Sequence, residues 1–212
     1  MRFSISLVIL LTASPVACQA QNWEVGGAGG YGWYINPSIS LPAGSAQAGY
    51  PAKTALSAIL GNNMYRYLGG ELRYVFRFGG PELKLGNVQS NLNGYTNVIV
   101  YDFVIHMRPK DDRLRPYFAG GAGIKIFTGT DTPGLRQPLS EFARLQEHTD
   151  VEPAISAGAG VKYRFKRHAQ FRVDFRTYFS PLPKSIFRKS PPAAIHGWIF
   201  DYLPMVGFDY VF

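Results

Sequence analysis

The chain has 212 residues, with 22 Lys and Arg against 14 Asp and Glu, for a formal net charge of +8. Hydrophobic residues make up 46%, aromatics 15% and charged residues only 17%, which excludes a disordered chain and fits a single core-forming domain. One cysteine excludes a disulfide framework and a multi-cysteine zinc site, while 23 glycines with 13 tyrosines and 15 phenylalanines favour strands and tight turns over helices.

Residues 1–20 read as an export signal that is removed. Arg2 precedes an apolar run through Ile5, Leu7, Val8, Ile9, Leu10 and Leu11, and the small residues Cys18 and Ala20 suit cleavage before Gln21. The run is too short to cross a bilayer as a helix. A lipid-modified Cys18 is the alternative, with Pro15 standing where that reading wants an aliphatic residue. Residues 21–212 then form one domain.

From Gln21 onward the hydrophobic period is two, the signature of strands. Eight strands are predicted, at roughly 22–34, 53–61, 67–78, 95–108, 116–128, 152–165, 169–179 and 198–212. The first contains Gly27-Ala28-Gly29-Gly30-Tyr31-Gly32, which fits G-x-G-x-x-G. A dinucleotide site needs a helix to follow, and Trp33-Tyr34-Ile35-Asn36-Pro37 does not start one, so this is a glycine-rich strand. The second, around Lys53–Leu60, also reads as a helix. In the third, Leu68, Leu72, Tyr74, Phe76 and Phe78 oppose Glu71, Arg73 and Arg77. In the fourth, Ile99, Tyr101, Phe103, Ile105 and Met107 oppose Asp102, His106 and Arg108. The fifth and sixth carry Lys125, Glu152, Lys162 and Arg164. In the seventh, Phe171, Val173, Phe175 and Phe179 oppose Arg172, Asp174 and Arg176. The last sets Phe200, Tyr202, Val206, Phe208, Tyr210 and Phe212 against Asp201 and Asp209.

Short connections (Gly61-Asn62-Asn63, Pro109-Lys110-Asp111-Asp112, Lys166-Arg167-His168) alternate with long ones at 35–52, 79–94, 129–151 and 180–197. A membrane-spanning up-and-down barrel has this asymmetry.

Two architectures accept these strands. A soluble sandwich or lipocalin-like barrel would point the aromatics inward. A membrane barrel would turn them to lipid and the charges to a polar interior. Two features favour the membrane barrel. Aromatics recur near strand ends, at Trp23, Trp33, Tyr34, Tyr95, Tyr117, Phe127, Tyr178, Phe179, Trp198 and Tyr210, as interfacial girdles require. Gly121, Gly123, Gly158 and Gly160 share the charged faces, where they make room for long side chains in a narrow interior. The expected fold is therefore all-β, an eight-stranded antiparallel transmembrane barrel. Glu71, Arg73, Arg77, Asp102, His106, Arg108, Lys125, Lys162, Arg164, Arg172, Asp174, Arg176, Asp201 and Asp209 are expected as its lumen charge network, with Glu24 and Glu152 as further charges on the same faces. Buried charges of both signs must pair, and a barrel this small is plugged by its own side chains.

The glycine-rich segments Leu68-Gly69-Gly70-Glu71-Leu72-Arg73-Tyr74, Arg115-Pro116-Tyr117-Phe118-Ala119-Gly120-Gly121-Ala122-Gly123 and Ala157-Gly158-Ala159-Gly160-Val161-Lys162-Tyr163 resemble the bacterial outer-membrane β-barrel family with the OmpA-type eight-stranded domain. The end of the chain, Val206-Gly207-Phe208-Asp209-Tyr210-Val211-Phe212, resembles the family's C-terminal assembly signal. The resemblance implies that Gly207, Phe208, Tyr210 and Phe212 are recognised by the outer-membrane assembly machinery. Met205 departs from the pattern, where a polar residue is usual. The periplasmic domain of OmpA itself is not expected.

Expected partners are the outer-membrane bilayer, that machinery, and a surface ligand held by the four long loops. The long loops hold Arg136, Glu141, Arg144, Glu147, His148, Lys184, Arg188 and Lys189. Nucleic acid is not expected, because the cations alternate with carboxylates and form no tract. No cofactor and no metal are expected. No activity is expected either. A lipid-modifying barrel enzyme would pair a histidine with a serine, and His106 has no serine near it in sequence. A small channel is the alternative function.

Overall fold

The computed structural model describes residues 23–41, 44–130, 137–189, 194–195 and 197–212. The expected export segment 1–20, with Cys18, lies outside the described residues.

Eight long strands form a closed antiparallel barrel. They are β1 (Trp23–Ile35), β2 (Lys53–Asn62), β3 (Leu68–Phe78), β4 (Gly94–His106), β5 (Leu114–Gly129), β6 (Thr149–Lys166), β7 (Ala169–Pro181) and β8 (Trp198–Val211). Each pairs with its chain neighbours, and β8 closes on β1 from Glu24↔Val211 to Ile35↔Phe200. No strand of the barrel has a free edge, which a sheet surrounded by lipid cannot tolerate.

The weak second strand is a strand. Ala55, Ser57 and Ile59 are buried, Leu56 and Leu60 are exposed, and β2 is hydrogen-bonded to β1 and β3 on its two sides. A helix there would leave the edges of β1 and β3 open.

The barrel is apolar outside. Tyr31, Leu56, Phe103, Phe118, Ile155 and Phe208 are all exposed. It is charged inside: Arg73, Arg77, Arg172 and Arg176 are wholly buried. This sense of the faces fits lipid and excludes the soluble alternative.

Two sets of residues sit differently from expectation. Tyr117, Phe127 and Tyr178 are buried inward, and Tyr34 turns its hydroxyl to Arg77. They were expected in the outer girdles. Each lies at an inward position of its strand, and the two-residue alternation of the backbone overrides an aromatic's preference for the interface. Trp23, Trp33, Trp198 and Tyr210 do point outward. The other difference is at strand boundaries. β4 ends at His106 and β5 begins at Leu114, so Arg108 falls in the exposed turn and Arg115 falls inside.

The long connections fold as well. Strands at Ser38–Leu41, Gly44–Gly49, Glu82–Leu85, Val88–Asn91 and Ala194–Ile195 form a five-stranded sheet, and Ala143–Leu145 pairs with Phe187–Lys189. They bury an apolar core that includes Ile39, Tyr50, Leu83, Phe142, Leu145 and Phe187, continuous with Phe127 and Ile199 of the barrel. The expectation of open loops becomes a folded cap over one end. Arg136 lies outside the described residues.

Candidate functional site

The inward charges arrange in three tiers. In the middle, Glu71 of β3 accepts from Arg73 Nε at 2.9 Å, Arg172 Nη2 at 2.8 Å and Arg176 Nη2 at 3.0 Å. Arg73 also grips Asp174 with both terminal nitrogens, at 3.3 and 2.7 Å. Tyr117 donates its hydroxyl to the same carboxylate at 2.8 Å. Arg176 Nη1 reaches Asp102 at 2.7 Å. The guanidiniums of Arg172 and Arg176 stand 5.9 and 5.8 Å from the Tyr117 ring centroid, within cation–π range.

Toward the cap, Asp201 holds Lys125 at 2.9 Å and Arg77 at 3.2 Å. Arg77 Nε donates to the Tyr34 hydroxyl at 3.1 Å. Tyr34 packs on Tyr50, and Tyr50 stacks on Phe127 at 5.1 Å, so the charged lumen passes directly into the apolar cap. Burial pushes the Tyr50 phenol well above its ordinary pKa, so it stays neutral in the cap.

Toward the other mouth, Glu24 of β1 pairs with Lys162 and accepts from Gln170 at 2.7 Å and Asn63 at 3.3 Å. Arg172 links this tier to the middle one, with Nε 3.1 Å from Asp209 and Nη2 3.5 Å from Glu24.

Glycine makes these tiers sterically possible. A Cβ on Gly160 would stand 2.7 Å from the Tyr117 ring and 2.6 Å from Asp174 Cβ, and one on Gly158 would stand 2.6 Å from Arg176 Cδ. Side chains there would displace the network.

The structure thus brings Glu24, Glu71, Arg73, Arg77, Asp102, Lys125, Lys162, Arg172, Asp174, Arg176, Asp201 and Asp209 together. His106 is buried below them, and neither ring nitrogen has a protein partner among the described residues. Arg164 is half-buried at the lower mouth, where it donates to the Lys110 carbonyl at 2.6 Å. Arg108 is exposed and outside the set. Sequence reading missed Arg115, Tyr117 and Asn63 as lumen residues; Gln170 shares the polar face of the seventh strand but, uncharged, is not among the network candidates. Parity within β5 finds Arg115 and Tyr117 once the strand start at Leu114 is known. Asn63 sits in a turn and gives no such signal.

On β8, Gly207 faces inward and Phe208 and Tyr210 face out, and with Phe212 just past its end they are each about half exposed. A Cβ on Gly207 would collide with Ala28 of β1, so glycine permits close approach at the closing seam. No group of three His, Cys, Asp or Glu able to hold a metal occurs among the described residues.

The sequence profile described as "Outer membrane protein beta-barrel domain" matches residues 3–181. No curated protein matches. Solved structures are similar in fold. OprG, an outer membrane protein from Pseudomonas aeruginosa, aligns with a TM-score of 0.59 at 16% identity, over 92% of this chain and 97% of that one. Neisserial surface protein A aligns with a TM-score of 0.52 at 10% identity, over 90% and 97%. The outer membrane protease OmpT from Escherichia coli gives a TM-score of 0.50 at 7% identity, over 91% and 97%.

Proposed function

The chain belongs to the outer membrane protein β-barrel family and resides in the outer membrane; on that premise we propose that it is a non-conducting barrel with a structural and surface-interaction role. The observation that carries this reading is the lumen itself. Glu71 alone joins Arg73, Arg172 and Arg176, and these reach carboxylates on β4, β7 and β8. Cross-links in several directions leave little room for a solute path. Above them Tyr50, Phe127 and Phe187 close the mouth with packed rings.

The external role then falls to the cap, whose ends are fixed by the barrel. The protein acts as a binder and not as a catalyst. In this reading Gly207, Phe208, Tyr210 and Phe212 present β8 to the assembly machinery as an edge strand, before β1 pairs with it. Residues 1–20 direct export and are removed.

The test is electrical. The full chain, folded and inserted in planar bilayers, is expected to show no stepwise openings at either polarity. Stable single-channel openings would favour the channel reading and remove this one.

A further inference from the structure

The lumen's charges do not balance, and the imbalance has an address. Seven cations are buried in the barrel: Arg73, Arg77, Arg115, Lys125, Lys162, Arg172 and Arg176. Six carboxylates are buried with them: Glu24, Glu71, Asp102, Asp174, Asp201 and Asp209. Six of the seven cations contact a carboxylate directly. Arg115 contacts none among the described residues. It is 2% exposed, its Nη1 donates to Asn63 Oδ1 at 3.2 Å, and its Nε and Nη2 have no protein partner.

Arg115 borders a cavity of about 230 Å³ at the end of the barrel opposite the cap. Arg164 lines the same cavity. It also pairs with no carboxylate among the described residues, and its buried Nε is unpartnered. Lys110 and Arg167 stand on the rim. Two acids border it as well. Glu24 is already engaged by Lys162, Gln170 and Asn63, and Asp111 lies in the exposed turn. A buried guanidinium without a counter-charge is strongly unfavourable. Several N–H donors converging on one space are what a tetrahedral oxyanion accepts. The cavity is too small for a drug-sized ligand and suits an ion or a single headgroup.

We propose that this mouth is a phosphate-class anion site, with Arg115 as the buried primary contact and Arg164 as the second. The bound group supplies the missing seventh negative charge. It comes either free from the periplasm or on a lipid headgroup. The inference does not depend on whether the lumen conducts.

The test is calorimetric titration of inorganic phosphate into the folded full chain in phosphate-free maltoside micelles, at constant ionic strength against chloride. Saturable binding near one ion per chain is expected. Arg115→Gln should weaken it about tenfold to a hundredfold, the loss of a charged hydrogen-bonding partner. Arg164→Gln should weaken it less. Arg66→Gln, an exposed cation on a turn at the same end, should leave it unchanged. Boiling-dependent gel migration confirms that each variant is folded; if Arg115→Gln does not fold, Arg164→Gln carries the test. Repeating the titration in phosphatidylglycerol nanodiscs separates the sources. Binding retained there identifies a free anion, and binding lost there identifies a headgroup that already occupies the site. No saturable binding in micelles, or equal weakening by Arg66→Gln, overturns the proposal.

Discussion

This molecule has two cores of opposite polarity, joined end to end. The barrel core is dominated by buried Arg, Lys, Asp and Glu, with Ile59, Val75, Val98, Leu203 and Met205 packed among them, and the cap core is built from Ile39, Tyr50, Leu83, Phe142 and Phe187. What differs is the solvent outside. Lipid covers the barrel, so its large apolar residues can face outward at no cost and the charged ones collect in the middle. Water covers the cap, and the ordinary hydrophobic effect packs its apolar residues inside. Tyr34, Tyr50 and Phe127 mark the change of regime, with Lys125 placed 4.8 Å from the Tyr34 ring centroid and 5.3 Å from that of Phe127. The cohesion of one core is directional and fails when one partner is removed. The other is additive and fails by degrees.

That contrast is open to a direct break. Glu71→Ala removes the carboxylate shared by three buried guanidiniums, each left with at least one other acid, and should cost about 3–5 kcal/mol, the penalty for breaking a buried ion pair. The temperature of the boiling-dependent gel shift should fall, with the whole barrel lost together. A variant as heat-resistant as the parent would mean that the lumen charges are solvated individually. Leu83→Ala should cost about 2–5 kcal/mol within the cap by cavity formation, and locally. Limited proteolysis should cut the cap sooner, while the barrel's gel shift stays where it was. If the gel shift moves as far as it does for Glu71→Ala, the two cores are one cooperative unit. Arg108→Ala is the smallest effect. An exposed turn cation should change stability by no more than about 0.5 kcal/mol. A large change would return Arg108 to the network.

Much of the barrel is legible in the chain. Alternation along β3, β4, β7 and β8 assigns nearly every side chain to a face, because backbone pleating is a local property with a period of two. The errors cluster where that locality ends. Strand termini are set by pairing with a neighbour and not by the strand's own residues. Met107 still donates to the Pro116 carbonyl at 2.9 Å across the turn, yet regular pairing stops at His106↔Tyr117. Pro116, with no N–H, reads as a boundary and hides Arg115 on its far side. Two arginines thereby exchange places, Arg108 outward and Arg115 inward.

By itself, then, the sequence determined that strands form, how many cross, and which face of each meets lipid. The tertiary structure alone decided the partners. Arg73 and Asp174 lie 101 positions apart, and Lys162 and Glu24 lie 138 apart. Closure of β8 on β1 places them together, and no local pattern encodes that distance. The cap was equally hidden. Its strands run from two to six residues, too short for a period to show. They become a sheet only because the barrel holds the ends of separate loops side by side.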